Sequence, residues 1–266
     1  MGALDGRVAF ITGGARGQGR AHALALAGEG ANVVIADAPR PMNLTYPLGT
    51  EDDLLRTAKE VEELGGRCLP IVMDVRDAAA VSAAVDETVS SLGSLDILVA
   101  NAGVVSTGPL EDVTDEIWHQ LVDTNLTGAF HTLRAVIPVM RRQRFGRIVV
   151  TSSMGGRMGI PELGAYNATK WAVIGLAKSL ALEVAKEGIT VNVICPTTVH
   201  TPMVQPEGGD DVPDELVQRM MRANPIPQPW IEPEDVSRGL LYLVTDPGVV
   251  TGSVLEIALG GSARIH

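Results

Sequence analysis

Apolar residues in this chain fall into short unbroken runs separated by longer stretches with helical spacing. Residues 7–12 (RVAFIT), 32–36 (NVVIA), 68–73 (CLPIVM), 95–100 (LDILVA), 148–150 (IVV), 190–195 (TVNVIC) and 253–258 (SVLEIA) read as strands bounded by Gly, Asn, Asp or Pro. The intervening stretches read as helices: the Ala- and Leu-rich run after the first glycine-rich turn, 51–64, the segment following Val75, 115–140, the run from Leu163 onward, 214–223 and 233–244. Gly65 and Gly66 supply a stop signal for the second of these. Regular strand and helix alternation predicts a single doubly wound α/β domain over residues 1–266. Right-handed crossovers give a seven-stranded parallel sheet in the order 3-2-1-4-5-6-7.

Within that frame the first strand runs into GGARGQG, and a helix follows at once. Gly13, Gly17 and Gly19 allow a tight turn and a close backbone approach, and the free amides at the helix start suit a pyrophosphate. Arg16 and Gln18 share this turn. The strand, turn and helix context makes this a Rossmann dinucleotide fingerprint. Asp37 ends the second strand, where a carboxylate accepts hydrogen bonds from adenosine ribose hydroxyls and repels a 2′-phosphate, favouring NAD over NADP. Arg16 and Arg40 are the contrary signals, since either can pair with a phosphate. Asp74 and Val75 end strand three; Asp74 suits the adenine amino group or a cap for the next helix. Asn101, Ala102 and Gly103 end strand four, small enough for backbone to approach a ribose.

Tyr166 and Lys170, four apart, share one helix face, and Ser153 lies just past a strand where a chain reversal brings it to them. A neighbouring ammonium lowers a phenol's pKa, so Tyr166 can exchange a proton while Ser153 hydrogen-bonds a substrate oxygen. That set suits interconversion of an alcohol and a ketone. The pair alone also fits an ordinary surface contact, and the double serine a helix cap. Asn125 stands inside the helix expected over 115–140, where asparagine is unfavourable. It calls for a main-chain hydrogen bond, or for a kink that orders a water for a proton relay to Lys170. Pro196, Val199 and Thr201 leave strand six and should face a nicotinamide. His200 has no companion histidines or cysteines, so no metal site is expected and a solvated loop residue is the plainer reading.

Composition narrows the partners. With 266 residues and 45% hydrophobic content the chain can bury a sizeable core. A net charge of −11 without any basic run argues against nucleic acid and anionic membranes. Cys68 and Cys195 lie in apolar runs and imply no disulfide framework. No run reaches membrane-spanning length and no basic region precedes an apolar one, which points to a cytoplasmic protein.

Two segments interrupt the alternation. Residues 38–50 (APRPMNLTYPLGT) hold three prolines and exceed the usual connection length. They directly follow Asp37 and are expected beside the adenosine. Met42, Leu44, Tyr46 and Leu48 alternate so that one edge can cover the adenine and slow cofactor release; a surface loop or subunit contact is the other option. Residues 203–230 carry Met220, Met221 and Trp230 among prolines, suiting a lid over an apolar substrate or plain core packing.

Taken together, TGGARGQG at 12–19, Asp74, NAG at 101–103, Asn125, Ser153 and YNATK at 166–170 resemble the classical short-chain dehydrogenase/reductase family over nearly the whole chain. The resemblance implies a catalytic tetrad of Asn125, Ser153, Tyr166 and Lys170. It also implies that Lys170 holds the nicotinamide ribose, that Val199 main chain binds the carboxamide, and that the chain forms a homotetramer. Thr197 stands where the family commonly has glycine after Pro196. ARGQGRAHA, the insertion after Asp37 and PTTVHTPM are similar to the mycofactocin-coupled subgroup, which includes carveol dehydrogenases. This implies a cyclic secondary alcohol as substrate, tightly held NAD and an external electron acceptor. The alternatives are an NADPH-dependent 3-oxoacyl-type ketoreductase and a catalytically silent NAD-binding scaffold.

Overall fold

The computed structural model describes residues 2–39, 42, 46–204 and 214–264. Arg40, Pro41, Leu44 and the stretch 205–213 lie outside them. Seven strands, β1 (Val8–Thr12), β2 (Asn32–Asp37), β3 (Cys68–Val72), β4 (Ile97–Ala100), β5 (Gly146–Thr151), β6 (Ile189–Pro196) and β7 (Val254–Ile257), form one sheet in the order β3-β2-β1-β4-β5-β6-β7. Every pairing is parallel. β1, β4, β5 and β6 are buried along their whole length because helices cover both faces, which is why these strands are apolar at consecutive positions.

One face carries α3 (Ala78–Leu92), α5 (Gly128–Gln143) and α6 (Gly164–Val184), whose Val85, Val136, Val173 and Val184 pack on Phe10, Leu98, Ile148 and Val191. The other carries α1 (Gly17–Gly28), α2 (Glu51–Glu63) and α8 (Pro233–Thr245), with Leu26, Leu54, Val61 and Leu240 against Ile11, Val33, Val99 and Ile194. Strand alternation thus divides the apolar residues between two cores, one on each side of the sheet.

Local chemistry sets the helix ends. Thr50 and Asp53 close a reciprocal capping box on α2, which fixes where the insertion after β2 stops. Asp77 caps α3 by accepting from Ala79 and Ala80, so the cap suggested for Asp74 belongs to Asp77. The single helix expected over 115–140 is α4 (Asp115–Val122), a π-helical turn over Asp123–Thr127, and α5. Asn125 lies in that turn. An added residue in a helical turn widens it and re-aims side chains, the kink the sequence suggested.

β1 and β4 are neighbours although three helices and two strands separate them in sequence, and their carboxyl ends diverge into α1 and into the loop after Ala100. This topological switch leaves a crevice above the sheet, where ligands of open α/β folds bind.

Candidate functional site

A cavity of about 670 Å³ opens along the carboxyl ends of the strands. It is lined by the glycine-rich turn, Asp37, Asp74, Val75, the Asn101–Gly103 segment, Ser153, Tyr166, Lys170 and the chain leaving β6. Gly13, Arg16, Gly17, Gln18, Gly19, Pro196, Val199 and Thr201 all face it. Of the residues assigned from the sequence to the catalytic tetrad or the cofactor site, Asn125 alone does not line the cavity.

At the glycine-rich end, Gly13 has φ +69° and a Cβ there would stand 2.9 Å from Ala102 Cα. A Cβ on Gly19 would fall 1.9 Å from the Gly13 carbonyl oxygen, so α1 can start this close to β1 only with glycine. Arg16, the residue before α1, makes no side-chain cap, leaving the first helix amides to an anion. The two strand ends are stitched together: Thr12 Oγ1 accepts from Asn101 N at 3.0 Å and Ala102 N at 3.1 Å, while Asn101 Nδ2 donates to the Thr12 and Gly13 carbonyls.

Asp37 Oδ2 accepts from Ala15 N at 3.0 Å and Oδ1 from Ala38 N at 2.8 Å. Burial pushes its pKa up, while those two amides and the Arg16 charge pull it down. Arg16 donates to the Pro47 carbonyl and is attracted to Asp37, so its guanidinium is directed to the insertion and the carboxylate. Asp74 holds Arg76 through both oxygens, with Arg76 Nη2 2.7 Å away.

The far end of the cavity is built by β5, the turn Met154–Gly156 and α6. Ser153, in extended backbone, starts that turn and accepts from Gly155 N at 3.1 Å. Its hydroxyl is close enough to the Tyr166 phenol to favour the phenolate and draw its pKa down. Lys170 is buried and its Nζ donates to the Thr151 carbonyl at 3.0 Å, 5.6 Å from the Tyr166 ring centre. Ser152 fixes the same helix by donating to the Lys170 carbonyl at 2.8 Å; the sequence reading used only one serine of this pair. Tyr166 as a whole is half-buried, its hydroxyl end enclosed. Enclosure pushes the phenol up to about 12 and outweighs the pull of the Ser153 hydroxyl, and pushes Lys170 down to about 8. The lowering of Tyr166 by Lys170 expected from their spacing is therefore not what these surroundings produce.

Asn125 sits behind this end, buried at 2% exposure. Its Oδ1 accepts from Val104 N at 2.7 Å, and its Nδ2 donates to the Val104 carbonyl and to Thr169 Oγ1. It thereby ties the loop after β4 to α6, one residue from Lys170. His200 stacks on Trp230 with ring centres 4.7 Å apart and pairs with Glu232 at 3.3 Å. In the lid region Met203, Val204 and Met220 line the cavity, as do Ile160 and Leu163, which sequence reasoning missed because a Pro-containing turn gives no periodic signal.

A glycine-rich anion cradle, a strand-end carboxylate and a Ser153, Tyr166 and Lys170 set thus share one crevice. The short chain dehydrogenase family model matches residues 7–211. This chain belongs to the short-chain dehydrogenase family. Among relatives, (-)-trans-carveol dehydrogenase of Rhodococcus erythropolis is 44% identical over 277 residues, covering 99% of this chain and 100% of that one. Among solved structures, a carveol dehydrogenase from Mycobacterium avium in complex with NAD superposes with a TM-score of 0.94 at 40% identity, covering 99% of this chain and 100% of that one. A short chain dehydrogenase from Mycobacterium paratuberculosis bound to NAD gives 0.91 at 36% identity, with 98% and 100% covered.

Proposed function

We propose that this member of the short-chain dehydrogenases interconverts an apolar, cyclic secondary alcohol of the carveol type and its ketone. Alcohol and ketone oxidoreduction with NAD is its general activity. The observation that carries the reading is the cluster of half-buried Ser153 and Tyr166 with buried Lys170 at the end of a cavity whose other end is a glycine-rich anion cradle beside Asp37.

The residues present fit the dinucleotide. Gly13, Gly17, Gln18 and Gly19 would cradle the pyrophosphate, Asp37 the adenosine ribose, Asp74 and Val75 the adenine side, and the Asn101–Gly103 segment would lie against a ribose. Lys170, Pro196, Val199 and Thr201 would hold the nicotinamide half. When bound, NAD supplies the hydride acceptor. Tyr166 takes the hydroxyl proton during oxidation and returns it during reduction. Ser153, fixed by Gly155 N, orients the substrate oxygen. Lys170 spends one donor on Thr151, which leaves the remaining ammonium protons to face the cleft. Asn125 acts through position, fixing Val104 and Thr169 around Lys170.

Ile160, Leu163, Met203, Val204 and Met220 give the substrate end an apolar lining, which supports a hydrophobic alcohol. The insertion after Asp37 is further read as slowing nucleotide exchange, with an external electron acceptor regenerating NAD. Gel filtration followed by nucleotide release tests this, and protein emerging free of nucleotide would defeat it. Exposed Phe130, Trp171 and Leu182 on α5 and α6 support assembly into a tetramer. Light scattering at micromolar protein tests that state. For the activity itself, purified protein with NAD should oxidise cyclic terpenols and fail to oxidise charged hydroxy acids. The opposite preference would refute the substrate class.

A further inference from the structure

The insertion after β2 reaches well past the adenosine end of the cavity. Its last residues stay near Asp37: a Cβ on Gly49 would lie 3.1 Å from Ala15 Cβ and 3.6 Å from Asp37 Oδ2. From there the chain turns across the crevice. Arg16 donates to the Pro47 carbonyl. Tyr46, only 6% exposed, accepts from Val105 N at 3.0 Å in the loop after β4. Met42 and Leu48 pack against the cluster of Val104, Leu121 and Ala165, and Tyr166 packs against that same cluster. Met42, Tyr46 and Leu48 all line the cavity. The described part of the insertion is therefore a strap joining the first turn to the start of α6, with Met42 and Leu48 on the same packing cluster as Tyr166.

We infer that this strap forms one wall of the substrate site, with Met42 and Leu48 determining which alcohols fit against Tyr166 and Tyr46 acting as the positioning residue that holds them there. Three observations converge on this assignment. The side chains facing the cavity from the strap are apolar or carry their polar atom on Val105, so they offer the substrate shape more than hydrogen bonds. They share a packing cluster with the residue whose oxygen does the chemistry. The adjacent residues Tyr46 and Pro47 are held from two directions, Pro47 by Arg16 and Tyr46 by Val105, which limits how far the wall can give there. A wall of this kind discriminates by size, and one methylene more or less in such a pocket changes selectivity by roughly tenfold or more.

This assignment rests on the proposed alcohol oxidation, and the experiment separates the two. Wild-type protein, Leu48→Ala, Met42→Ala, Leu48→Phe and Tyr46→Phe are assayed for kcat/KM over cyclic secondary alcohols from cyclopentanol to a bulky terpenol. NADH dissociation constants are measured in parallel by fluorescence. The alanine variants should shift the bulky-to-small preference toward bulky alcohols by about tenfold, with NADH affinity changed less than about threefold. Leu48→Phe should shift it the other way. Tyr46→Phe should raise KM more than it lowers kcat, because it frees the wall without touching Tyr166. Unchanged selectivity in every variant, with or without weaker NADH binding, would place the strap over the cofactor alone and overturn the inference. A wild type that oxidises none of the alcohols would refute the proposed function, and the inference with it.

Discussion

Replacing Asp37 by asparagine isolates one charge in the cofactor site. The amide oxygen of Asn still accepts from Ala15 N, the 3.0 Å bond that ties the carboxylate to the glycine-rich turn, so the local backbone stays anchored. What disappears is the repulsion toward a 2′-phosphate, along with the bond from Ala38 N, which the asparagine NH2 cannot accept. Two unit charges about 5 Å apart in surroundings of effective dielectric about 20 repel by about 3 kcal/mol. Arg16 is attracted to Asp37 and offsets part of this. Discrimination against NADPH by the wild type should then be roughly 10- to 100-fold, and the variant should lose most of it. Titration of each protein with NADH and NADPH, followed by nucleotide fluorescence, gives both dissociation constants. Salt should change the ratio only modestly, because Asp37 is half-buried. An NADH to NADPH affinity ratio that is the same in wild type and variant would refute the argument, placing the ribose away from Asp37.

Three further outcomes follow from the site. Tyr166→Phe should lower kcat by at least about 100-fold while changing the NADH dissociation constant little, whereas Lys170→Ala should harm both; steady-state rates and fluorescence titration read the two effects. Because burial holds the Tyr166 phenol near about 12, it stays protonated at neutral pH, so alcohol oxidation should climb as pH rises from 7 toward 10 while ketone reduction does not; an oxidation rate flat over that window would contradict this. His22, buried with Nδ1 2.8 Å from Ser237 Oγ, is pushed down to about 3. The unfolded chain binds that proton near the ordinary value of 6.5 and the folded one does not. Stability should therefore fall as pH drops from 6.5 toward 3, with no contribution from this group above 6.5. Urea titrations of wild type and His22→Asn read the effect, the variant showing the shallower dependence.

Much of this architecture was legible because β1, β4, β5 and β6 are buried on both faces and so write themselves as largely apolar runs. The strand order followed from short right-handed crossovers, and the sheet realises it. The cavity-lining residues were legible wherever special backbone or strand-end chemistry marks them, as at Gly13, Gly19 and Asp37. Less visible was anything set by contacts distant in sequence. Asn125 announced a break in its helix, but nothing local told that its amide would bridge Val104 and Thr169 rather than face the cavity. Tyr46 stood out only as one apolar position in a Pro-rich loop, since its partner Val105 lies 59 residues away. The Tyr166 pKa was misjudged for a related reason: spacing shows that Lys170 is near, whereas the extent of enclosure depends on the whole fold.

In the proposed reaction Tyr166 moves a substrate proton while bound NAD accepts the hydride from a cyclic secondary alcohol. A single-turnover measurement tests it most directly: protein loaded with NAD is mixed with excess carveol, and reduced nicotinamide is followed by its near-ultraviolet absorbance in wild type and in Tyr166→Phe. The wild type should reduce its bound nicotinamide in a rapid phase of about one equivalent per chain, and the variant should slow that phase by at least about 100-fold. Reduction at equal rates in both proteins, or none in the wild type with carveol or any other cyclic secondary alcohol, would contradict the account.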